Sequence, residues 1–257
     1  MVGMEQYHLL ETLKNFWAMA NKIKIDNAVL KRRARKESKR RVEFKSKRKF
    51  YLIVCEGEKT EPNYFESLKS SLPKGVLELT NIDIDGTGRN TMSIIQEAVK
   101  LQKRYEDKYL RTIDRVWAVF DKDSFPDRNF NNAINKGENS TPKINCAWTN
   151  EAFELWYLLH FNYYNTPIQR EQYQRLIEKE VINASGKTDF KYEKNSTTMF
   201  QILKRFGCQD RAIQNATKLE ALYYDRSYAK HNPCTKVHIL IKELIELTEK
   251  YATQEQV

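Results

Sequence analysis

Two short apolar runs constrain this chain more than anything else in it, because each ends in acid. Phe50-Tyr51-Leu52-Ile53-Val54-Cys55 hands over to Glu56-Gly57, and Arg115-Val116-Trp117-Ala118-Val119-Phe120 hands over to Asp121-Lys122-Asp123. Each run is apolar, β-branched and aromatic, and reads as a fully buried strand. In an open parallel α/β sheet the groups just past the carboxyl ends of strands share one edge, where ligands bind. Glu56, Asp121 and Asp123 are therefore expected to converge. Three hard oxygen donors in one place suit Mg²⁺ or Mn²⁺, the ions of phosphoryl-transfer chemistry.

The rest of the first two thirds alternates in the same way. Strands are expected at 50–55, 79–85, 115–120 and 143–148, with helices at about 62–72, 91–108, 129–136 and 150–162. Thr60 can cap the first of these helices, and Pro62 is tolerated in its first turn. Strands alternating with helices predict a parallel sheet of about four strands with right-handed crossovers. After Asn165 the character changes, and 169–183, 196–206, 209–223 and 235–251 all read as helices. The chain thus divides into an N-terminal extension with a basic arm (1–49), an α/β core (50–165) and a helical C-terminal region (166–257). Leu9, Leu10, Leu13, Phe16 and Trp17 have helical spacing. Met19 opens an alternative start, so residues 1–18 are expected to be dispensable.

Charge is concentrated rather than spread. The net charge is +10, and Lys31 to Phe50 holds 12 Lys or Arg against Glu37 and Glu43. The remaining chain has 32 basic and 32 acidic residues, a neutral body with one basic arm. Such an arm fits a polyphosphate partner, although a solvated charged tail gives the same composition. Cys55, Cys146, Cys208 and Cys234 form no C-x-x-C pair, so neither a disulfide framework nor a structural zinc site is expected. No apolar stretch approaches a membrane span. The expected location is cytoplasmic, without membrane contact.

The loop Glu56-Gly57-Glu58-Lys59-Thr60 is not a P-loop, since it lacks G-x-x-x-x-G-K-[ST] and is acidic where a triphosphate cradle is neutral. Gly86-x-Gly88 lacks the third glycine of a dinucleotide site. Alternate residues of extended chain point the same way, so Asp121 and Asp123 can face one ion; two solvated loop acids around Lys122 are the simpler alternative. The run 150–162 carries Glu151, Glu154 and His160 on a very apolar helix, where a charge needs a partner. Both glutamates could instead serve the helix N-terminus, and His160 could be a packed core histidine. His231 and His238 flank Pro233 and Thr235 at a helix junction, where capping is the simplest role. There is no G-x-S-x-G, no H-E-x-x-H and no matched cysteine–histidine pair, which leaves acyl transfer and zinc hydrolysis poorly supported.

Several of these segments, in order, resemble the signature of RloB-like proteins. They are V-C-E-G-E-K-T-E-P-N-Y-F from Val54, G-T-G-R-N-T from Gly86, V-W-A-V-F-D-K-D from Val116, F-E-L-W-Y-L-L-H-F from Phe153 and N-P-C-T-K-V-H from Asn232. The resemblance covers about residues 32–247. It implies a prokaryotic protein of abortive infection and phage defence with a Toprim-like core. In Toprim enzymes a glutamate follows the first strand and a D-x-D follows a later one, which match Glu56 and Asp121 with Asp123. Glu154 would sit near a further acid. The chain lacks a topoisomerase tyrosine context and carries no ATPase domain, so an RloA-type ATPase in trans is implied.

The expectation is therefore a Mg²⁺-dependent nuclease (Mn²⁺ as an alternative) that cleaves RNA, with tRNA a plausible target and DNA second. Glu56, Asp121 and Asp123 would hold the ion. Glu56, Lys59, Asp121, Asp123 and Glu154 would be catalytic. Lys31, Arg32, Arg33, Arg35, Arg40 and Arg41 of the arm, Arg89 and His160 would contact substrate. The rival is a non-catalytic module that binds nucleic acid or an ATPase partner.

Overall fold

A computed structural model of the chain describes residues 14, 30–33, 35, 49–72, 80–86, 91–123 and 125–254, with only the backbone at 80–86, 91–92 and 250–254. The chain forms two units, residues 1–47 and 48–257. In the first, Lys14, Leu30 to Arg33 and Arg35 are helical and exposed. Arg40, Arg41 and Arg89, expected to meet substrate, lie outside the described residues, as does most of the basic arm.

The second unit is α/β. Its strands are β1 (Lys49–Cys55), β2 (Thr80–Gly86), β3 (Arg115–Asp121), β4 (Ile144–Asn150) and β5 (Cys234–Thr235), in the spatial order β2-β1-β3-β4-β5. The first four are parallel, and β5 joins antiparallel through Thr149↔Thr235 and Asn150↔Cys234. The four expected strands are thus present, and a fifth, only two residues long, is added. The helices are α1 (Thr60–Ser71), α2 (Thr91–Tyr109), α3 (Asp127–Glu138), α4 (Glu154–Leu159), α5 (Arg170–Ser185), α6 (Met199–Phe206), α7 (Gln209–Glu220) and α8 (Val237–Gln254).

The period of two along each strand sorts the core into two layers. Tyr51, Ile53, Cys55, Trp117 and Val119 face one cluster, with Tyr64 and Phe65 of α1, Ile177 of α5, Leu203 of α6 and Leu240 of α8. Leu52, Val54, Val116, Ala118 and Phe120 face the other, with Ile94 and Ile95 of α2 and Phe130 of α3. So α1 leaves β1 toward one face and α2 leaves β2 toward the other. Strand order reverses between β1 and β3, which opens a crevice outside their carboxyl ends.

The expected boundary at residue 165 is not a break in packing. The C-terminal helices share one continuous core with β1 and β3, and β5 extends the sheet itself. The helix expected over 150–162 is shorter. Thr149 and Asn150 remain in β4 because β5 pairs with them, and α4 begins only at Glu154. All four cysteines are free thiols. Among the described residues no helix is long and apolar enough to cross a membrane.

Candidate active site

Glu56 is the first residue past β1, and its N–H donates to Val119 O at 2.8 Å, so it stays in register beside β3. Its Oε2 accepts the N–H of Asp121 at 3.1 Å. Asp121 is the last residue of β3, and its Oδ2 accepts the N–H of Phe153 at 2.9 Å. Phe153 is held by an aromatic floor, edge-to-face with Tyr64 at 5.6 Å and Tyr157 at 5.4 Å between ring centroids. That packing fixes the N–H that orients the Asp121 carboxylate. Asp123 lies beyond the strand with φ 41°, in the left-handed region that Asp tolerates better than most residues. The chain is not extended there, so the alternation argument for D-x-D does not apply. Asp123 Oδ2 instead pairs with the guanidinium of Arg170, at the start of α5.

These groups line one cavity of about 630 Å³ at the β1/β3 crevice. Its wall carries six carboxylates, Glu56, Glu58, Glu61, Asp121, Asp123 and Glu154, and three cations, Lys59, Arg170 and Lys194. All five residues expected to be catalytic are on it. Glu154 is buried, and its Oε1 accepts the Tyr192 hydroxyl at 3.0 Å. Lys59 is exposed at the N-terminal end of α1. Glu151 does not line the cavity; its carbonyl accepts the Asp123 N–H at 3.0 Å.

His160 is not there either. It is 3 % exposed, its Nδ1 lies 2.8 Å from Trp156 O, and its ring meets the Trp156 ring edge-on at 4.8 Å. A β-carbon on Gly207 would stand 2.9 Å from the His160 Cβ, which leaves only glycine room against it. Burial pushes its pKa down to about 4. The packing role replaces the substrate contact expected for it.

Glu61 is the residue that the sequence reading passed over. An acid in the first turn of a helix is ordinary, yet this one is only 6 % exposed. Burial, with Glu154 close by, pushes its pKa up to about 7. Gly57 makes room for it, since a β-carbon there would lie 2.2 Å from Glu61 Oε2. Asp121 is also raised well above the ordinary carboxylate range, first by burial and then by Glu61 and Glu154. Thr60, expected as the helix cap, instead sends its hydroxyl to Lys194 O at 2.9 Å. Arg170, Lys194 and Asn195 come from a region read only as helices and a polar break, where no local signal marks a site residue.

The donors on this wall are hard oxygens, and two of them resist ionising together. A divalent cation such as Mg²⁺ would relieve that repulsion, so the donors fit such an ion in kind. Among the described residues no three His, Cys, Asp or Glu side chains stand close enough to hold one. Glu56, Asp123 and Glu154 are each turned to a protein partner, respectively the Asp121 N–H, Arg170 and Tyr192.

No curated protein and no solved structure matches the chain. The family model for RloB-like proteins matches residues 51–244, which include both acidic strand ends, Glu61, Glu154, Arg170 of α5 and Lys194 in the segment that follows α5. The chain therefore belongs to the RloB-like protein family.

Proposed function

We propose that this protein is a metal-dependent nuclease of prokaryotic antiviral defence, acting on RNA, with tRNA a plausible target and DNA the second choice. The observation that carries the reading is the convergence of six carboxylates on one crevice at the carboxyl edge of a parallel sheet. The likeness to Toprim enzymes, whose glutamate and D-x-D match Glu56, Asp121 and Asp123, gives the same chemistry, and family membership is consistent with a defence role.

Glu56, Asp121 and Asp123 would hold Mg²⁺, or Mn²⁺ in its place. When bound, the ion supplies Lewis-acid polarisation of the scissile phosphate and stabilises the leaving oxygen. The chain's own residues do the rest. Lys59 sets a positive charge against a non-bridging phosphate oxygen. Glu56 can take or return the proton of the attacking water. Phe153 holds Asp121 in place through its N–H, and Tyr192 does the same for Glu154. Lys31, Arg32, Arg33 and Arg35, exposed in the arm, would contact phosphates without reading bases. An RloA-type ATPase would act in trans.

A second reading is favoured by the engagement of Asp123 with Arg170. In it the acids are structural and the protein is a binding module for nucleic acid or an ATPase partner. Incubating total RNA with purified protein and Mg²⁺ separates the two. The nuclease reading expects cleavage that EDTA stops and that Asp121→Asn lowers on the order of a hundredfold or more. Asparagine keeps the acceptor for the Phe153 N–H, so the fold should survive. Cleavage unchanged in Asp121→Asn, or none by wild type on RNA or DNA, removes the nuclease reading.

A further inference from the structure

We propose that the segment 193–198 is a phosphate clamp: Lys194 and Asn195, strapped to α1, bind a backbone phosphodiester of the nucleic acid beside the one at the acids. The inference rests on the nuclease reading for its ligand class and adds a binding site to it.

The segment lies between α5 and α6, in irregular and mostly exposed chain. Carbonyls of such a loop ordinarily face water. Here three of them are taken by side chains of one helix. Thr60 Oγ1 donates to Lys194 O at 2.9 Å, Asn63 Nδ2 to Asn195 O at 3.0 Å and Ser67 Oγ to Thr197 O at 3.4 Å. Positions 60, 63 and 67 follow helical spacing and form one row along α1. Within the segment, Ser196 N donates to Glu193 O at 2.9 Å and the Ser196 and Thr198 hydroxyls bond at 2.9 Å. Just before it, Tyr192 is fixed by its N–H on Glu178 and its hydroxyl on Glu154. An exposed loop gains little stability from such ties. Their effect is to set its register, and that register places Lys194 and Asn195 on the cavity wall.

The two side chains suit a phosphate. The lysine offers three donors and the asparagine amide two. Arg170, on the same wall, is engaged by Asp123, whereas Lys194 makes no ion pair among the described residues. A polyanion brought to a wall with twice as many acids as cations needs a positive contact on the flank, and Lys194 supplies one that is already positioned.

The test is binding, measured in EDTA so that cleavage does not intervene, by fluorescence anisotropy of short labelled RNA and DNA strands of one sequence. Lys194→Ala should raise Kd about tenfold, as expected for the loss of a charge-assisted contact. It should also lower the slope of log K against log salt by about 0.7 for a single strand. Lys194→Arg should restore most of the binding. Thr60→Val with Asn63→Ala keeps the lysine but loosens the strap, and should weaken binding severalfold at an unchanged salt slope. Lys194 is exposed, so its truncation leaves the fold intact, and melting temperatures check the strap variant. Wild-type affinity in Lys194→Ala overturns the clamp while leaving the nuclease reading standing. Wild type that binds strands through Lys194 but never cleaves them in Mg²⁺ removes the nuclease reading and keeps the clamp. Wild type that binds neither strand overturns both.

Discussion

Replacing Glu61 by Gln should stabilise this protein at neutral pH. Burial and the nearby Glu154 raise the Glu61 pKa from 4.5 to about 7. The unfolded chain therefore loses that proton near pH 4.5, while the folded chain keeps it until about 7. Between these values the folded state binds more protons, so stability falls as pH rises and levels off above the folded pKa. At about 1.4 kcal/mol per pH unit, the loss comes to about 3 kcal/mol by pH 8. Glutamine keeps the length and the acceptor but cannot ionise. Glu61→Gln should thus match wild type at pH 4 and exceed it above pH 7, with a melting temperature higher by about 5–10 °C for a chain of this size.

Thermal melts across pH 4 to 8 read the difference directly. Adding Mg²⁺ at pH 8 gives a second arm. If the cavity binds the ion, the wild-type carboxylates gain a counter-charge and the gap between the two proteins narrows. A gap that does not change with pH would refute the reasoning, because it would mean that Glu61 ionises as an ordinary surface acid. A gap that grows toward low pH would reverse its sign.

On the nuclease reading, His160→Gln should retain cleavage in full, because the ring lies in the core. Its pKa, lowered from 6.5 to about 4 by burial, gives stability that is complete above pH 6.5 and is lost as pH falls through 4; the variant should show a shallower loss in acid melts, and a large fall in rate at unchanged melting temperature would return His160 to the site. A chain cut after residue 165 loses Ile177, Val181, Leu203, Leu219, Leu240 and Ile241, all buried, at about 1.5–3 kcal/mol each. That is comparable with the whole stability of an ordinary domain, about 5–15 kcal/mol, so near-ultraviolet circular dichroism should show no fixed tertiary structure, and a cooperative melt of the fragment would contradict the shared core.

Strands β1 and β3 were legible because a run such as Leu52-Ile53-Val54 has no other good home than a sheet covered on both faces. Their acid endings were legible for the same reason: a carboxylate next to such a run must sit where the strand leaves the core. The sites of misreading are equally physical. β5 is two residues long and has no period to read. The apolar stretch from Asn150 looks helical, but pairing with Cys234 and the bond from the Phe153 N–H to Asp121 hold its beginning in other shapes. Asp123 turns left-handed where extended chain was assumed. Glu61 resembles any acid of a helix first turn, and only tertiary burial distinguishes it. Arg170 and Lys194 reach the cavity from more than forty residues beyond β3, through contacts that no local spacing encodes.

The two charge patterns of the chain fit a division of labour between affinity and chemistry. A cavity with six carboxylates and three cations repels a bare polyanion, so it cannot by itself gather nucleic acid. On the proposed reading the arm, with its surplus of ten positive charges over Lys31 to Phe50, would do so without regard to sequence, through counterion release. On the proposed reading, the acidic cavity then admits only a phosphate that arrives with a cation or beside a fixed one. Lys59 from α1 and Lys194 from the strapped segment provide fixed charge from opposite parts of the chain, and the acids supply the place for a mobile one. Burial first, and neighbouring acids second, raise the pKa of Glu61 and of Asp121, so ionising them at neutral pH costs stability. Gly57 leaves room for Glu61 and the Phe153 N–H is aimed at Asp121; on the nuclease reading, these placements serve the chemistry proposed for the crevice.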